Sequence, residues 1–302
     1  MKASLPRDAQ MGKLCLTDST PFNLDHTLKC GQAFRWRKHG EWWYGTVRDK
    51  IFKIKQTGDT LVFENVDESF VERYFSLDLD LPRILSSINK DHHIERAIRR
   101  FRGLRIVRQD PWECLISYMC ATNKNIPAIK RSIEALANRF GEKKTFEGQV
   151  FYTFPEPYKL TQASVEELKK CGLGFRAKYI IETAKKIVKG DFSFEMLKRT
   201  GYMDGKRTLL RLRGVGHKVA DCVLLFSFEK LEAFPVDVWV KRAILNHYKK
   251  HFDAKFLERV SMKKSLSPSE YERVNSFGRE YFGEYAGYAQ EYLFHYERLC
   301  VI

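Results

Sequence analysis

Leu209-Leu-Arg-Leu-Arg-Gly214-Val-Gly216-His217-Lys218-Val-Ala-Asp-Cys222-Val-Leu-Leu-Phe226 is the stretch on which the fold turns. Leu209 to Leu212 reads as the end of one helix, Arg213 to His217 as a tight turn, and Lys218 as the opening of a second helix. Val219, Cys222, Val223 and Phe226 recur at the helical spacing of a buried face. Two glycines around one apolar residue let the backbone bend sharply and approach another molecule closely. The helix start that follows offers free N–H groups and partial positive charge, a seat for a phosphate. The segment therefore reads as a helix-hairpin-helix, a clamp on DNA backbone that does not read sequence. Gly-Val-Gly alone occurs in many loops, so an ordinary helix–helix turn is the competing reading.

Upstream, two periods divide the chain. From Ala33 to Val66, alternating aromatic and β-branched runs (Phe34 to Trp36, Trp42 to Val47, Ile51 to Gln56, Leu61 to Phe63) are separated by polar turns. This pattern predicts an antiparallel meander acting as a structural wall. After about Ser69 the signals are helical throughout. Asp110-Pro-Trp-Glu113, Asn125-Ile-Pro127 and Ser164-Val-Glu-Glu167 are helix starts, and Gly141 and Gly172 are stops. The fold class is α+β: an N-terminal antiparallel β-sheet domain over 1–100, then a mostly helical, hairpin-bearing domain over 101–302 that borrows N-terminal segments for its pocket.

The 302 residues are 44% hydrophobic, enough for a large core, and 53 Lys+Arg against 38 Asp+Glu give a formal net charge of +15. Such a balance favours a polyanionic partner. The arginines at 96, 99, 100, 102, 105 and 108 are either a phosphate-facing surface or a solvated helix face. The 7 cysteines form no CxxC pair, which argues against a disulfide framework and a four-cysteine iron–sulfur cluster. With no apolar leader or membrane-length run, the expected location is cytoplasmic, at the nucleoid, or nuclear in a eukaryotic source.

Phe234-Pro-Val-Asp237 follows the hairpin. With it the chain resembles the helix-hairpin-helix DNA glycosylases, and among them the 8-oxoguanine DNA glycosylase/AP lyases. Lys29-Cys-Gly31-Gln-Ala-Phe-Arg-Trp36, Leu104 to Pro111, Asn123 to Ile126, Gly172-Leu-Gly-Phe175-Arg176-Ala177, Gly214 to Cys222 and Ala286-Gly-Tyr-Ala-Gln290 carry the resemblance, in the family's order. It implies excision of 8-oxoguanine from duplex DNA, with Lys218 as the nucleophile that forms a Schiff base and nicks the strand by β-elimination. Asp237 would stabilise the cationic sugar and assist proton transfer. An amine attacks only when unprotonated, and a buried helix start disfavours the ammonium form.

The resemblance also implies the pocket. The Gly31 carbonyl would accept the N7–H that 8-oxoguanine carries and guanine lacks. Cys222 and Phe294 would flank the flipped base, and Gln290 would read its Watson–Crick edge. Gly214, Gly216 and His217 would hold the DNA backbone. Asn123 and Arg176 would fill the gap and hold the unpaired cytosine, and Phe175 would be the wedge. Ala128 stands where eukaryotic members carry an arginine that contacts the opposite cytosine, and Trp239 where they carry a histidine that touches phosphate. No cofactor is required; a structural monovalent cation at the hairpin is the one ion allowed. The expected partner is double-stranded DNA containing oxidised guanine, bound by a monomer, with no membrane. A monofunctional alkylated-base glycosylase, which needs no lysine, and a non-catalytic hairpin module are the alternatives.

Overall fold

Aromatic and β-branched runs with polar turns make the first layer of the molecule. A computed structural model describes residues 11–122 and 124–300. β1 (Met11–Cys15) and α1 (Leu24–Lys29) precede β2 (Trp36–His39), β3 (Trp42–Val47), β4 (Lys50–Thr57) and β5 (Thr60–Glu64). These strands form one antiparallel sheet in the order β1-β5-β4-β3-β2. The meander is present, and β1, which the sequence did not single out, adds a strand at the β5 edge. Trp36 sits opposite Gly45, and that pairing needs a glycine because a Cβ would lie 2.6 Å from the indole.

The inner face of the sheet, with Trp36, Trp43, Phe52, Ile54, Leu61 and Phe63, packs against α2 (Glu68–Tyr74) and Val107 as a separate core. Burial of this aromatic surface is what holds the sheet in place. α3 (Leu81–Ile88) and α4 (His92–Arg100) turn Leu81, Ile84, Ile94 and Ala97 into the larger helical core instead.

That core continues through α5 (Pro111–Ala121) and α6 (Ile126–Phe140). Asp110 and Asn125 cap these two helices as the sequence suggests, each with proline in the first turn. Next come β6 (Lys143–Phe146) and β7 (Gln149–Tyr152), a two-stranded ribbon that interrupts what the sequence read as continuous helix. The ribbon is pinned to the main sheet by Glu147, whose carboxylate accepts from Lys53 and Tyr44.

α7 (Pro157–Thr161), α8 (Val165–Lys170), α9 (Arg176–Lys189) and α10 (Phe194–Arg199) lead to the hairpin helices α11 (Tyr202–Leu210) and α12 (His217–Phe228). Ser164 and Glu167 form the expected capping box on α8. α13 (Val238–His247), α14 (Ala254–Ser261), α15 (Pro268–Phe282) and α16 (Ala286–Cys300) complete the domain. Among the described residues no helix is long and apolar enough to cross a membrane.

Two of the arginines offered as a phosphate-facing surface are structural. Arg105 is fully buried, donating to the carbonyls of Pro21, Ser76 and Leu79. Arg108 is paired with Asp78 and Glu229. Both tie the sheet region to the helices, so neither is free to meet DNA.

Candidate active site

The hairpin turn is built as its glycines require. Gly214 has φ +85°, and a Cβ there would strike the Tyr179 ring at 2.6 Å. Gly216 caps α12 with no side-chain hydrogen bond and with open space around it, so the first amides of α12 remain available to a ligand. His217 turns its ring inward, with Nδ1 2.6 Å from Glu272 Oε1.

One turn into α12 the chain opens onto a cleft of about 880 Å³, a size typical of a ligand site. Gly31, Gly214, Gly216, His217, Lys218, Cys222, Asp237, Gln290 and Phe294 all line it. The structure thus brings nine of the twelve residues singled out in the sequence to one place, from the α1–β2 turn, the hairpin, the head of α13 and α16. Phe175 and Arg176 lie outside it. Asn123 lies outside the described residues.

Lys218 is half-buried, its ammonium 4.9 Å from the centre of the Tyr118 ring. Tyr118 stacks on Phe226 and donates its hydroxyl to the Gln32 carbonyl, next to Gly31. Gln32 is buried, donating to the carbonyls of Thr27 and Arg105 and accepting from Val107 N. This chain of contacts fixes the Gly31 turn relative to the lysine. Gly31 has φ +103°, and a Cβ would meet Ile126 Cδ1 at 2.7 Å and Arg298 Nη1 at 2.8 Å. Only glycine fits that turn.

Asp237 caps α13. Its Oδ1 accepts from Trp239 N at 2.9 Å and Val240 N at 2.8 Å, and no other described residue bonds the carboxylate. Burial raises its pKa above the ordinary carboxylate value, against the pull of those amides and of the Lys218 charge. Lys218 and Asp237 therefore feel each other electrostatically without forming an ion pair. Burial also pushes the Cys222 thiol up to about 12, so it stays protonated and uncharged in the cleft. Gln290 is buried with its Oε1 unpartnered, and the Phe294 ring faces the Arg298 guanidinium at 5.0 Å.

Beyond the cleft, Phe175 is 62% exposed at the head of α9, with the Arg176 guanidinium 4.4 Å from its ring. Arg176 donates to the Thr122 carbonyl and keeps a buried Nε without a partner. Lys124 Nζ donates to the Gly172 carbonyl at 2.6 Å, joining the loop before α6 to the loop before α9. An exposed aromatic beside an arginine at the edge of a basic cleft is an arrangement suited to stacking against bases.

Sequence reasoning missed several residues at the site. Tyr118 and Glu291 line the cleft; in the sequence Tyr118 is an ordinary member of an apolar helical stripe, and Glu291 reads as a charged surface position. Asp221, on α12, is fully buried and accepts from Tyr202, Tyr271 and Asn275 while pairing with Lys206 at 3.1 Å. Tyr271 Oη also accepts from Val236 N, and Asn275 donates to the Phe234 carbonyl. The helix that carries Lys218 is thereby bonded to the segment that carries Asp237. No group of three or more His, Cys, Asp or Glu side chains among the described residues could hold a metal ion.

Known proteins resemble this chain over most of its length. Residues 14–115 match the family model of the 8-oxoguanine DNA glycosylase N-terminal domain, and residues 116–263 that of the HhH-GPD superfamily of base excision DNA repair proteins. A probable N-glycosylase/DNA lyase of Methanothermobacter thermautotrophicus is 35% identical over 76% of this chain and 74% of its own length. The N-glycosylase/DNA lyase OGG1 of Arabidopsis thaliana is 32% identical over 91% of this chain and 77% of its own. The 8-oxoguanine glycosylase/lyase of Clostridium acetobutylicum, solved with double-stranded DNA carrying cytosine opposite 8-oxoG, is 34% identical and covers 93% of both chains with a TM-score of 0.84. The chain belongs to the 8-oxoguanine DNA glycosylase family, within the HhH-GPD superfamily of base excision DNA repair proteins.

Proposed function

We propose that this protein excises 8-oxoguanine from duplex DNA and then nicks the strand, using Lys218 as the covalent nucleophile. The observation that carries the reading is the shared cleft: Lys218 and Asp237 line it together with Gly31, Cys222, Gln290 and Phe294. Relatives named as N-glycosylase/DNA lyases point the same way.

The hairpin amides and Gly216 hold the DNA backbone while the damaged nucleotide rotates into the cleft. Phe175 wedges the stack, and Arg176 and Asn123 meet the orphaned cytosine. The flipped base lies between the neutral Cys222 thiol and the Phe294 ring, with the Gln290 amide at its Watson–Crick edge. The Gly31 carbonyl accepts from N7–H; in guanine, N7 is itself an acceptor and the pair is repulsive. One such bond contributes on the order of 1 kcal/mol, so selectivity is shared among several contacts.

In the chemical step the C1′–N9 bond breaks with its electron pair passing to the base, which takes up a proton. Lys218 Nζ bonds to C1′ and loses a proton. The Asp237 carboxylate stabilises the positive charge that develops on the sugar and relays the lysine's protons. Opening of the sugar ring gives an iminium between Nζ and C1′. Loss of a C2′ proton then expels the 3′ phosphate, which is the strand nick. A monovalent structural cation at the hairpin would be held by backbone carbonyls of the turn, and no step depends on it. The protein acts as a monomer wherever the genome lies, the nucleoid of a prokaryotic cytoplasm or a nucleus.

The test is a duplex containing one 8-oxoguanine opposite cytosine. The expected result is free 8-oxoguanine together with strand cleavage, and no release of 3-methyladenine from a matched duplex. Base release without cleavage would favour a monofunctional enzyme, and no release from any damaged duplex a non-catalytic clamp.

A further inference from the structure

Glu291 has no role in the reaction described above, yet it lines the cleft. Its side chain is 2% exposed, and its Oε1 is buried without any hydrogen-bond partner. A buried carboxyl oxygen left unpaired opposes folding, because nothing replaces the water it gives up. An apolar residue in this stripe of α16 would fold better, unless something that enters the cleft supplies a donor. Glu291 lies beside the Cys30 thiol and under the influence of the Arg298 charge. Arg298 itself donates to the Lys29 carbonyl at 2.9 Å and presses against Gly31. The Glu291 carboxyl thus lies near Cys30, next to the Gly31 turn that in the proposed reading meets the five-membered ring of the flipped base. Gln290, the preceding residue on the same helix, is left for the opposite edge.

We propose that Glu291 is a second reader of the oxidised ring: its free carboxylate oxygen shares, with the Gly31 carbonyl, the hydrogen that 8-oxoguanine carries on N7 and guanine lacks. This rests on the reading of the chain as an 8-oxoguanine glycosylase. Against guanine the same oxygen meets the N7 lone pair, so one residue adds attraction for the lesion and repulsion for the normal base. The discrimination requires the ionised form, because a protonated carboxyl would donate to guanine N7. Burial pushes Glu291 up to about 7, with Cys30, Arg298 and Lys218 favouring its charge and Asp237 opposing it. Lys130 of α6 faces the same corner, next to Arg298 and Cys30. Reading of N7 is therefore expected to strengthen as pH rises through that value.

The experiment measures binding in a Lys218→Gln background, with a duplex carrying one 8-oxoguanine opposite cytosine and the same duplex carrying guanine. With Glu291 present, the ratio of the two dissociation constants should favour the lesion more at about pH 8 than at about pH 6. Glu291→Gln should lower that ratio roughly tenfold at the higher pH and remove its pH dependence, with an unfolding midpoint no lower than that of the unsubstituted protein. Glu291→Met, similar in shape and without an acceptor, should lose the same discrimination, and it serves if the glutamine variant folds poorly. A ratio unaltered by both substitutions overturns the proposal, as does equal weakening for both duplexes. If the protein with Glu291 intact shows no preference for 8-oxoguanine at any pH, the reading of the function fails first.

Discussion

Two amide hydrogens at the head of α13 hold Oδ1 of Asp237, while the surrounding protein opposes the charge that those hydrogens favour. Burial prevails, so the carboxyl gives up its proton at a higher pH than an ordinary aspartate. Protonation favours the fold, and this contribution is present at low pH and lost as pH rises through the raised value. On the proposed mechanism activity runs the other way, because only an ionised carboxylate can stabilise the sugar cation. Base excision should fall on acidification, starting above the usual aspartate range. Asp237→Asn should cost about a hundredfold or more in single-turnover excision, with lesion binding retained. Its unfolding midpoint should not drop, since asparagine caps a helix as well as aspartate. That Lys218 and Asp237 share a cleft was legible because each sits in a short motif that follows the family's order. Tyr118, Gln32 and Glu291 were not, because their roles come from partners far along the chain. Gln32 meets Arg105 and Val107, and Tyr118 meets Lys218, contacts that no local pattern records.

The hairpin and the Pro-Val-Asp segment behave as one element because Asp221, Tyr271 and Asn275 bond them together. Lys206 supplies the opposite charge at 3.1 Å from Asp221, and both side chains are almost fully buried. Removing one hydroxyl from this network leaves a buried amide and a buried carboxylate short of a partner. Tyr271→Phe should therefore destabilise by about 1–3 kcal/mol and slow excision, while non-specific DNA binding at the exposed hairpin amides is kept. Thermal unfolding and single-turnover kinetics on the same preparation check both effects. The hairpin itself was readable from glycines and apolar spacing, and so were the capped starts of α5, α6 and α8. β1 was missed because Met11 to Cys15 is an edge strand with no buried residue to impose an alternating pattern. The β6–β7 ribbon was missed because Lys143 and Lys144 carry no strand signal. That ribbon is held by its docking on Lys53 and Tyr44 and by a left-handed turn at Glu147 and Gly148.

Across the whole molecule, two hydrophobic cores meet where Gln32, Arg105 and Tyr118 cross from the sheet region to the helices. The sheet is a wall that fixes the Gly31 turn, and none of its strand residues reaches the cleft. Domain-scale character was legible because period-two and helical patterns occupy different parts of the chain. The joining of the parts was not, since it depends on buried polar staples that look like surface residues in the sequence. Arg105 is the clearest of these. The net charge of +15 should still dominate encounter with DNA. Raising salt from about 50 to 200 mM should weaken duplex binding on the order of a hundredfold or more, and a flat response would remove the backbone-clamp role of the hairpin. All of this converges on the Lys218 amine. The decisive measurement is borohydride reduction during turnover of 8-oxoguanine duplex, followed by peptide mass spectrometry. A stable protein–DNA adduct should map to Lys218 and vanish in Lys218→Gln while lesion binding persists. An adduct on another residue, or base release with no adduct at all, would show that this lysine is not the nucleophile.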